Sequence, residues 1–483
     1  MNPLNRREFV SLMGAATRTA LAAGRPQPNI LYIMADDHAA HAISAYGSRI
    51  NQTPNIDRIA FAGVRMTNCF CTNSICTPSR AAILTGQYSH KNGVYTLDDV
   101  IDPARNHVGK ELRRAGYQTA MIGKWHLESE PTGFDYWNIL PGQGVYYDPT
   151  FIEASGRKQY KGYCTDLIAD FSLEWLKRRD PDKPFFLMSH HKAPHRPWEP
   201  APKYKALYAN ETIPEPDNLF DHYEGRARSV AAVTMRVGED MLTTDVKQPF
   251  PPELHGDALR KWAYQIFIKD YLRCIQSIDD NVGRMLDYLD AEGLAQNTVV
   301  IYTSDQGFFL GDHGWFDKRL MYEESVRMPF VMRYPAAIKP GTVNRDMTLN
   351  IDFAPMFLDY AGVNAPAEMQ GSSFRANLEG HTPKTWRKSM YYRYWMHNTS
   401  DHHVPAHYGL RTDRWKLICY YGKPLGMKGA NPPDTTPDWE LFDLRNDPRE
   451  MHNLYHDPKY ARIVKTLTAE LYQRQREVGD TPV

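Results

Sequence analysis

Asn29-Ile30-Leu31-Tyr32-Ile33-Met34-Ala35 runs without a charge and then breaks into Asp36-Asp37-His38. An apolar run this continuous suits a strand buried on both faces of a parallel sheet. Three further segments repeat the pattern. Gln118 to Ile122 runs into Gly123-Lys124-Trp125-His126, and Pro184 to Ser189 into His190-His191-Lys192-Ala193-Pro194-His195. Thr298 to Ser304 runs into Asp305-Gln306-Gly307. In open α/β sheets, ligands bind beyond the carboxyl ends of the strands. Four such ends carrying Asp, Lys and His predict one shared site.

Helical patterns lie between these strands. From about Ala258 to Glu292, Leu272, Ile275, Ile278, Val282, Met285 and Leu289 recur at three and four residues, and Gly293 is a natural stop. This alternation predicts an α/β fold, a mixed, mostly parallel sheet flanked by helices. Residues 196–256 carry Pro197, Pro200, Pro202, Pro214, Pro216, Pro249, Pro251 and Pro252, the mark of a long irregular excursion. From about Trp386 the segments SMYYRYW, YGLRTDRWKLICYY and WELFDL are short aromatic strand candidates between turns. They predict a smaller C-terminal antiparallel sheet. The expected division is therefore a catalytic α/β unit over residues 25–380 and an α+β subdomain over 381–483.

The 483 residues include 57 Lys+Arg and 57 Asp+Glu, so the formal net charge is zero and gives no footprint for nucleic-acid binding. No apolar run approaches the roughly 18 residues of a membrane span. The six cysteines, at 69, 71, 76, 164, 274 and 419, are too irregular for a disulfide framework or a zinc site. Residues 1–24, MNPLNRREFVSLMGAATRTALAAG, place Arg6-Arg7 before a small-residue stretch. This matches a twin-arginine export signal, although Arg18 interrupts the apolar part. A periplasmic or secreted location is expected on that basis. The bland alternative is a short basic surface helix.

The strongest local signal is Ser74-Ile75-Cys76-Thr77-Pro78-Ser79-Arg80-Ala81-Ala82-Ile83-Leu84-Thr85-Gly86. Pro78 suits a first helical turn and Gly86 a helix end. Cys76 then stands at a helix N-terminus, where free N–H groups attract anions, and Arg80 adds a positive fork one turn on. A nucleophile or an anion site follows from these features.

Cys-x-Pro-Ser-Arg followed by Ala-Ala-Ile-Leu-Thr-Gly resembles the first signature of the type I sulfatases. Gly116-Tyr117-Gln118-Thr119-Ala120-Met121-Ile122-Gly123-Lys124-Trp125-His126 resembles the second. The likeness extends from Asn29 to about Leu454. It implies an alkaline-phosphatase-like fold and conversion of Cys76 to Cα-formylglycine by a separate maturation enzyme. It also implies a metal held by Asp36, Asp37, Asp305, Gln306 and residue 76 itself. All-oxygen ligands suit Ca²⁺, with Mg²⁺ second. Gln306 stands where many relatives have Asn or His, on a longer arm. The resemblance further implies that Arg80 and Lys124 hold the nucleophile and sulfate, and that His126 is the base that frees the sulfate. His195 and Lys318 would bind sulfate and face the leaving oxygen, with His195 favoured as the acid and Lys318 assisting. Asp312-His313-Gly314-Trp315 is expected at the cleft rim, with His313 on the sugar.

The stretch from Ser304 to Ser325 resembles bacterial sulfatases acting on sulfated glycans, with N-acetylglucosamine-6-sulfate the first expectation for the substrate. Two alternatives stand beside it. One is a phosphonate monoester or phosphodiester hydrolase of the same superfamily, because its substrates carry a similar single charge. The other is a catalytically silent glycan-binding relative in which Cys76 stays a thiol. The oligomeric state is left open.

Overall fold

The computed structural model describes residues 27–48 and 50–483. The expected export signal at 1–24 lies outside the described residues.

The strands of the main sheet are β1 (Asn29–Ala35), β2 (Val64–Phe70), β3 (Gln118–Lys124), β4 (Tyr136–Leu140), β5 (Thr150–Glu153), β6 (Gly156–Gln159), β7 (Phe185–His190) and β8 (Thr298–Ser304). After the two-stranded ribbon β9 (Phe309–Leu310) and β10 (Phe316–Asp317), the sheet gains β11 (Arg327–Arg333), β12 (Thr342–Asn344) and β13 (Thr348–Leu349). Its order is β12-β2-β11-β8-β1-β7-β3-β4-β5-β6, with β13 also on β2. The centre is parallel, since β1 pairs with β7 and β8, and β3 with β7 and β4. The exceptions are β11, antiparallel to both β2 and β8, and the β4-β5-β6 edge.

Register brings the strand ends together. Ala35 pairs with Ser304, Met34 with His190, Gly123 with His190, and Lys124 with Leu140. The loops opening at Asp36, Asp305, His191 and Trp125 therefore leave one edge of the sheet side by side. Gly123 is required here. Its φ is +100°, and a Cβ would lie 2.0 Å from the His190 carbonyl oxygen of the neighbouring strand.

Alternate residues of β1 feed two cores. Ile30, Tyr32 and Met34 join one face with α2 (Cys76–Thr85) and α5 (Phe353–Tyr360). Leu31, Ile33 and Ala35 join the other with α1 (Pro54–Phe61), α3 (Cys164–Arg178) and α4 (Gly256–Ala291). The predicted long helix is α4. The proline-rich segment between β7 and α4 holds only short helical turns.

The C-terminal strands β14 (Ser389–Tyr394), β15 (His407–Thr412), β16 (Trp415–Tyr420) and β17 (Asp438–Asp443) form an antiparallel sheet, as the short aromatic segments between turns predict. Helix α6 (Ala461–Val478) lies on it through Leu467 and Leu471. This sheet shares one continuous apolar core with the α2 face of the main sheet.

Candidate active site

Helix α2 begins at Cys76, its first residue, and ends at Gly86 in the left-handed conformation (φ +66°). Every residue of the helix is buried. The Cys76 thiol donates to Asp36 Oδ1 at 3.3 Å. Asp36, Asp37 and Asp305 each place a carboxylate oxygen within 4.8 Å of the others. All three are fully buried. Gln306, also buried, donates from Nε2 to Asp37 Oδ1 at 2.5 Å, and its Oε1 has no hydrogen-bond partner. Amide N and O are interchangeable by a flip. The flip would turn the free carbonyl toward Asp37 and Cys76.

Cations close around this acidic centre. Lys124 Nζ contacts Asp36 Oδ2 and donates to Gln143 Oε1 at 2.5 Å. Arg80 donates from Nε to Asp305 Oδ2 at 3.0 Å and forms an ion pair with the same oxygen through Nη2 at 2.9 Å, and its Nη1 meets the Lys124 carbonyl. Lys318 Nζ donates to Asp37 Oδ2 at 2.7 Å. His195 Nδ1 pairs with the Arg196 carbonyl oxygen at 2.7 Å, which leaves Nε2 facing Asp37 Oδ2 at 3.7 Å. His126 is buried, and its Nδ1 has no partner.

The loops that deliver these groups carry backbone strain. Asp37 (φ +67°), His126 (φ +52°), Asp317 (φ +78°) and Arg319 (φ +94°) are all left-handed without being glycine. Such residues persist where the surroundings over-determine them, and they cluster at functional sites.

Electrostatics follow from burial and crowding. Burial pushes Asp37 up to about 6 against the pull of Lys318. Burial, then repulsion from Asp36, pushes Asp305 up to about 7. Burial acts on Asp36 too, but Lys124 with His195, Arg80 and Lys318 outweighs it and holds Asp36 well below the carboxylate range. Burial and then Lys124 push His126 and His195 down, so both rings are neutral at pH 7. Burial and then Asp36 push the Cys76 thiol up. A thiol held protonated is a poor nucleophile. Three buried carboxylates and a free carbonyl oxygen form a hard, all-oxygen donor set that fits a divalent cation such as Ca²⁺.

Ten of the residues singled out in the sequence thus meet at one edge of the sheet: Asp36, Asp37, Cys76, Arg80, Lys124, His126, His195, Asp305, Gln306 and Lys318. His313 does not join them. Its ring is fully buried, with Nδ1 3.3 Å from Asp221 and Nε2 3.8 Å from Glu324, between Trp315 and Tyr322. Those carboxylates, with burial opposing, raise its pKa to about 9. No face of the ring is open to a sugar, so the placement at the cleft rim is corrected to an internal ion cluster.

Three positioning groups were missed. Gln143 reaches Lys124 from the loop after β4, which runs parallel to β3 and so ends at the same edge. That topology was the available signal. The Tyr271 hydroxyl, on α4, accepts from Ala39 N at 2.8 Å and donates to the Asp37 carbonyl at 2.7 Å. The Tyr392 hydroxyl, on β14, accepts from Ser74 N at 3.1 Å and donates to the Arg319 carbonyl at 2.6 Å. Neither tyrosine carries a local sequence signal.

Comparison with known proteins decides the family. The sulfatase family profile matches residues 28–363, and the C-terminal profile of N-sulphoglucosamine sulphohydrolase matches residues 311–477. The chain belongs to the sulfatase family. It is a sulfatase enzyme with an alkaline-phosphatase-like fold. It is 43% identical to the N-acetylglucosamine-6-O-sulfatase of Bacteroides thetaiotaomicron, over 94% of this chain and 87% of that protein. Human N-acetylglucosamine-6-sulfatase is 29% identical over 77% of this chain and 68% of its own length. A solved structure of a protein bound to its substrate D-glucosamine-2-N,6-O-disulfate superposes with TM-score 0.88 at 43% identity, covering 94% of this chain and 98% of that one. The phosphonate monoester hydrolase of Silicibacter pomeroyi superposes at 0.74 with 20% identity over 94% of this chain and 96% of that one, a likeness of fold alone. Sulfatases of this family generally use a metal ion and a formylglycine. No helix among the described residues is long and apolar enough to cross a membrane.

Proposed function

We propose that this sulfatase removes the 6-O-sulfate from N-acetylglucosamine-type residues of a sulfated glycan, with Cys76 as the residue converted to formylglycine and Ca²⁺ as the ion. One observation carries the reading of the site. The Cys76 sulfur stands 3.3 Å from an Asp36 oxygen, in a buried group of three carboxylates ringed by Arg80, Lys124 and Lys318. The relatives named for glucosamine 6-sulfate chemistry supply the substrate class.

Asp36, Asp37, Asp305 and Gln306 would hold the cation beside residue 76. When bound and formed, the ion and the hydrated aldehyde supply charge neutralisation for sulfate and two hydroxyls on one carbon. The chain's own residues do the rest. Lys124, Lys318 and His195 hold the sulfate oxygens, and Arg80 fixes Asp305 and the Lys124 carbonyl. His126, neutral in its buried site, accepts the proton whose loss lets sulfate depart. His195 presents Nε2 toward the centre; the anionic sulfate favours protonation of the ring at that atom, and Nε2 then passes this proton to the leaving sugar oxygen, with the Lys318 charge beside it. The buried, protonated thiol argues against an unmodified Cys76 as nucleophile. Maturation by a separate enzyme, export through residues 1–24, and the division at 380/381 belong to the same proposal.

The test is a screen of purified, matured enzyme against defined sulfated mono- and disaccharides, beside an aryl phosphodiester. Release of sulfate from 6-sulfated N-acetylglucosamine is expected. Faster turnover of the phosphodiester would favour the phosphonate and phosphodiester hydrolase reading.

A further inference from the structure

We propose that a cavity bordering His126 is a second sugar subsite, built for a neutral pyranose joined to the sulfated residue. The inference rests on the glycan reading above. The cavity has a volume of about 230 Å³, and its lining combines Trp125, His126, Glu128, Glu130, Trp137 and Arg157 with aliphatic side chains of β4 and β5. It lies below the roughly 300–1,000 Å³ of drug-sized sites, which suits one ring and no longer segment. His126 is shared with the reaction centre, so an occupant here is a covalent neighbour of the sulfated sugar.

The lining matches a sugar ring. The half-buried Trp137 offers aromatic surface for the apolar face of a pyranose, with the edge of the buried Trp125 beside it. The Trp125 ring is fixed edge-on against Phe134, with centroids 6.1 Å apart. Its Nε1 is buried and has no hydrogen-bond partner, and neither has His126 Nδ1. Buried indole N–H groups are normally paired. At the mouth, Glu128 and Glu130 are exposed and able to accept from further hydroxyls. Glu128 is held at φ +56°, two residues after His126 at +52°, so the loop bordering the cavity is strained at these two positions.

Charge selects the neighbour. The lining carries two carboxylates, Glu128 and Glu130, against the single guanidinium of Arg157, so a uronic acid placed here would meet net repulsion. A neutral hexose would not. The subsite therefore favours glycans in which the 6-sulfated glucosamine is joined to a neutral sugar over those in which it is joined to a uronate.

The experiment compares sulfate release by matured enzyme from three compounds: 6-sulfated N-acetylglucosamine, its disaccharide with galactose, and its disaccharide with glucuronic acid. For wild type, kcat/KM on the galactose disaccharide is expected at least tenfold above the other two. Trp137→Ala should remove that advantage and leave the monosaccharide rate within twofold. The exposed Glu128→Gln/Glu130→Gln double variant, which poses no folding hazard, should narrow the gap between galactose and glucuronate. Equal wild-type rates on mono- and disaccharide, or equal losses on both in Trp137→Ala, overturn the proposal. Wild-type enzyme idle on all three compounds overturns the substrate reading instead. Quenching of indole fluorescence by the unsulfated galactose disaccharide then decides the subsite alone. Quenching that Trp137→Ala abolishes supports it, and no quenching sinks it.

Discussion

Tyr392, on the first strand of the C-terminal sheet, donates its hydroxyl hydrogen to the backbone carbonyl of Arg319 at 2.6 Å. The same oxygen accepts from Ser74 N, two residues before Cys76. One hydroxyl thus ties the approach to the nucleophile helix to the loop that carries Lys318. Tyr392→Phe would leave a buried N–H and a buried C=O short of a partner. Each such loss costs roughly 1–3 kcal/mol. A lowered denaturation midpoint is expected, together with a drop in kcat of about tenfold that the aromatic ring alone does not prevent. Unchanged kcat would confine Tyr392 to packing.

Cys76→Ala removes the atom on which the modification is built. The side chain is buried on a fully buried helix, and the change in volume is small. Sulfate release should vanish while the melting temperature moves by only a few degrees. Peptide mass spectrometry of wild-type enzyme should find residue 76 converted. An unmodified thiol in fully active enzyme would falsify the mechanism.

Why so much of this centre was legible in the sequence is a matter of strand geometry. Asn29–Ala35 and Thr298–Ser304 are buried nearly throughout, so they read as continuous apolar runs, and the residues that follow them had to land on one edge. Antiparallel β11 inside a parallel neighbourhood gave no such sign, because its composition is that of any buried strand. Tyr271 and Tyr392 act through hydroxyls delivered from distant elements, which no local pattern reveals. His313 misled for the opposite reason. Its neighbours Asp312 and Gly314 look like a site loop, but Asp221, far off in sequence, pairs with Nδ1, and Glu324, beyond the Lys318 loop, places its charge 3.8 Å from Nε2.

Asp305 separates the cation from the rest of the site. A cation that binds only the folded chain stabilises it by mass action, about 2.7 kcal/mol at a hundredfold excess over Kd. Added Ca²⁺ should raise the melting temperature of chelator-treated protein, and EDTA should reverse it. Asp305→Ala should lose most of that rise. Unchanged calcium affinity in this variant removes Asp305 from the ligand set.

His195 should matter in proportion to the leaving group's need for a proton. A sugar alkoxide needs one, and an activated aryl oxide does not. His195→Ala is expected to slow sugar 6-sulfate turnover by roughly 10²–10⁴-fold, the usual weight of general acid catalysis. The loss on an activated aryl sulfate should be much smaller. Equal losses on both substrates would assign His195 to sulfate binding instead, with Lys318 as the proton donor.

His313 predicts a pH dependence of stability rather than of chemistry. Burial opposes its charge, but Asp221 and Glu324 hold the imidazolium, raising its pKa from 6.5 to about 9. A group whose affinity for a proton rises on folding stabilises the fold fully below its unfolded pKa. That contribution is lost as pH climbs through the folded value. At ~1.36 kcal/mol per tenfold change in proton affinity, the amount is about 3 kcal/mol. The wild-type melting temperature should therefore fall between pH 7 and pH 9.5, and His313→Gln should start lower and lack that part of the fall. Parallel melting curves for the two proteins across this range would show that the imidazolium contributes nothing, and that the ring is held by Trp315 and Tyr322 alone.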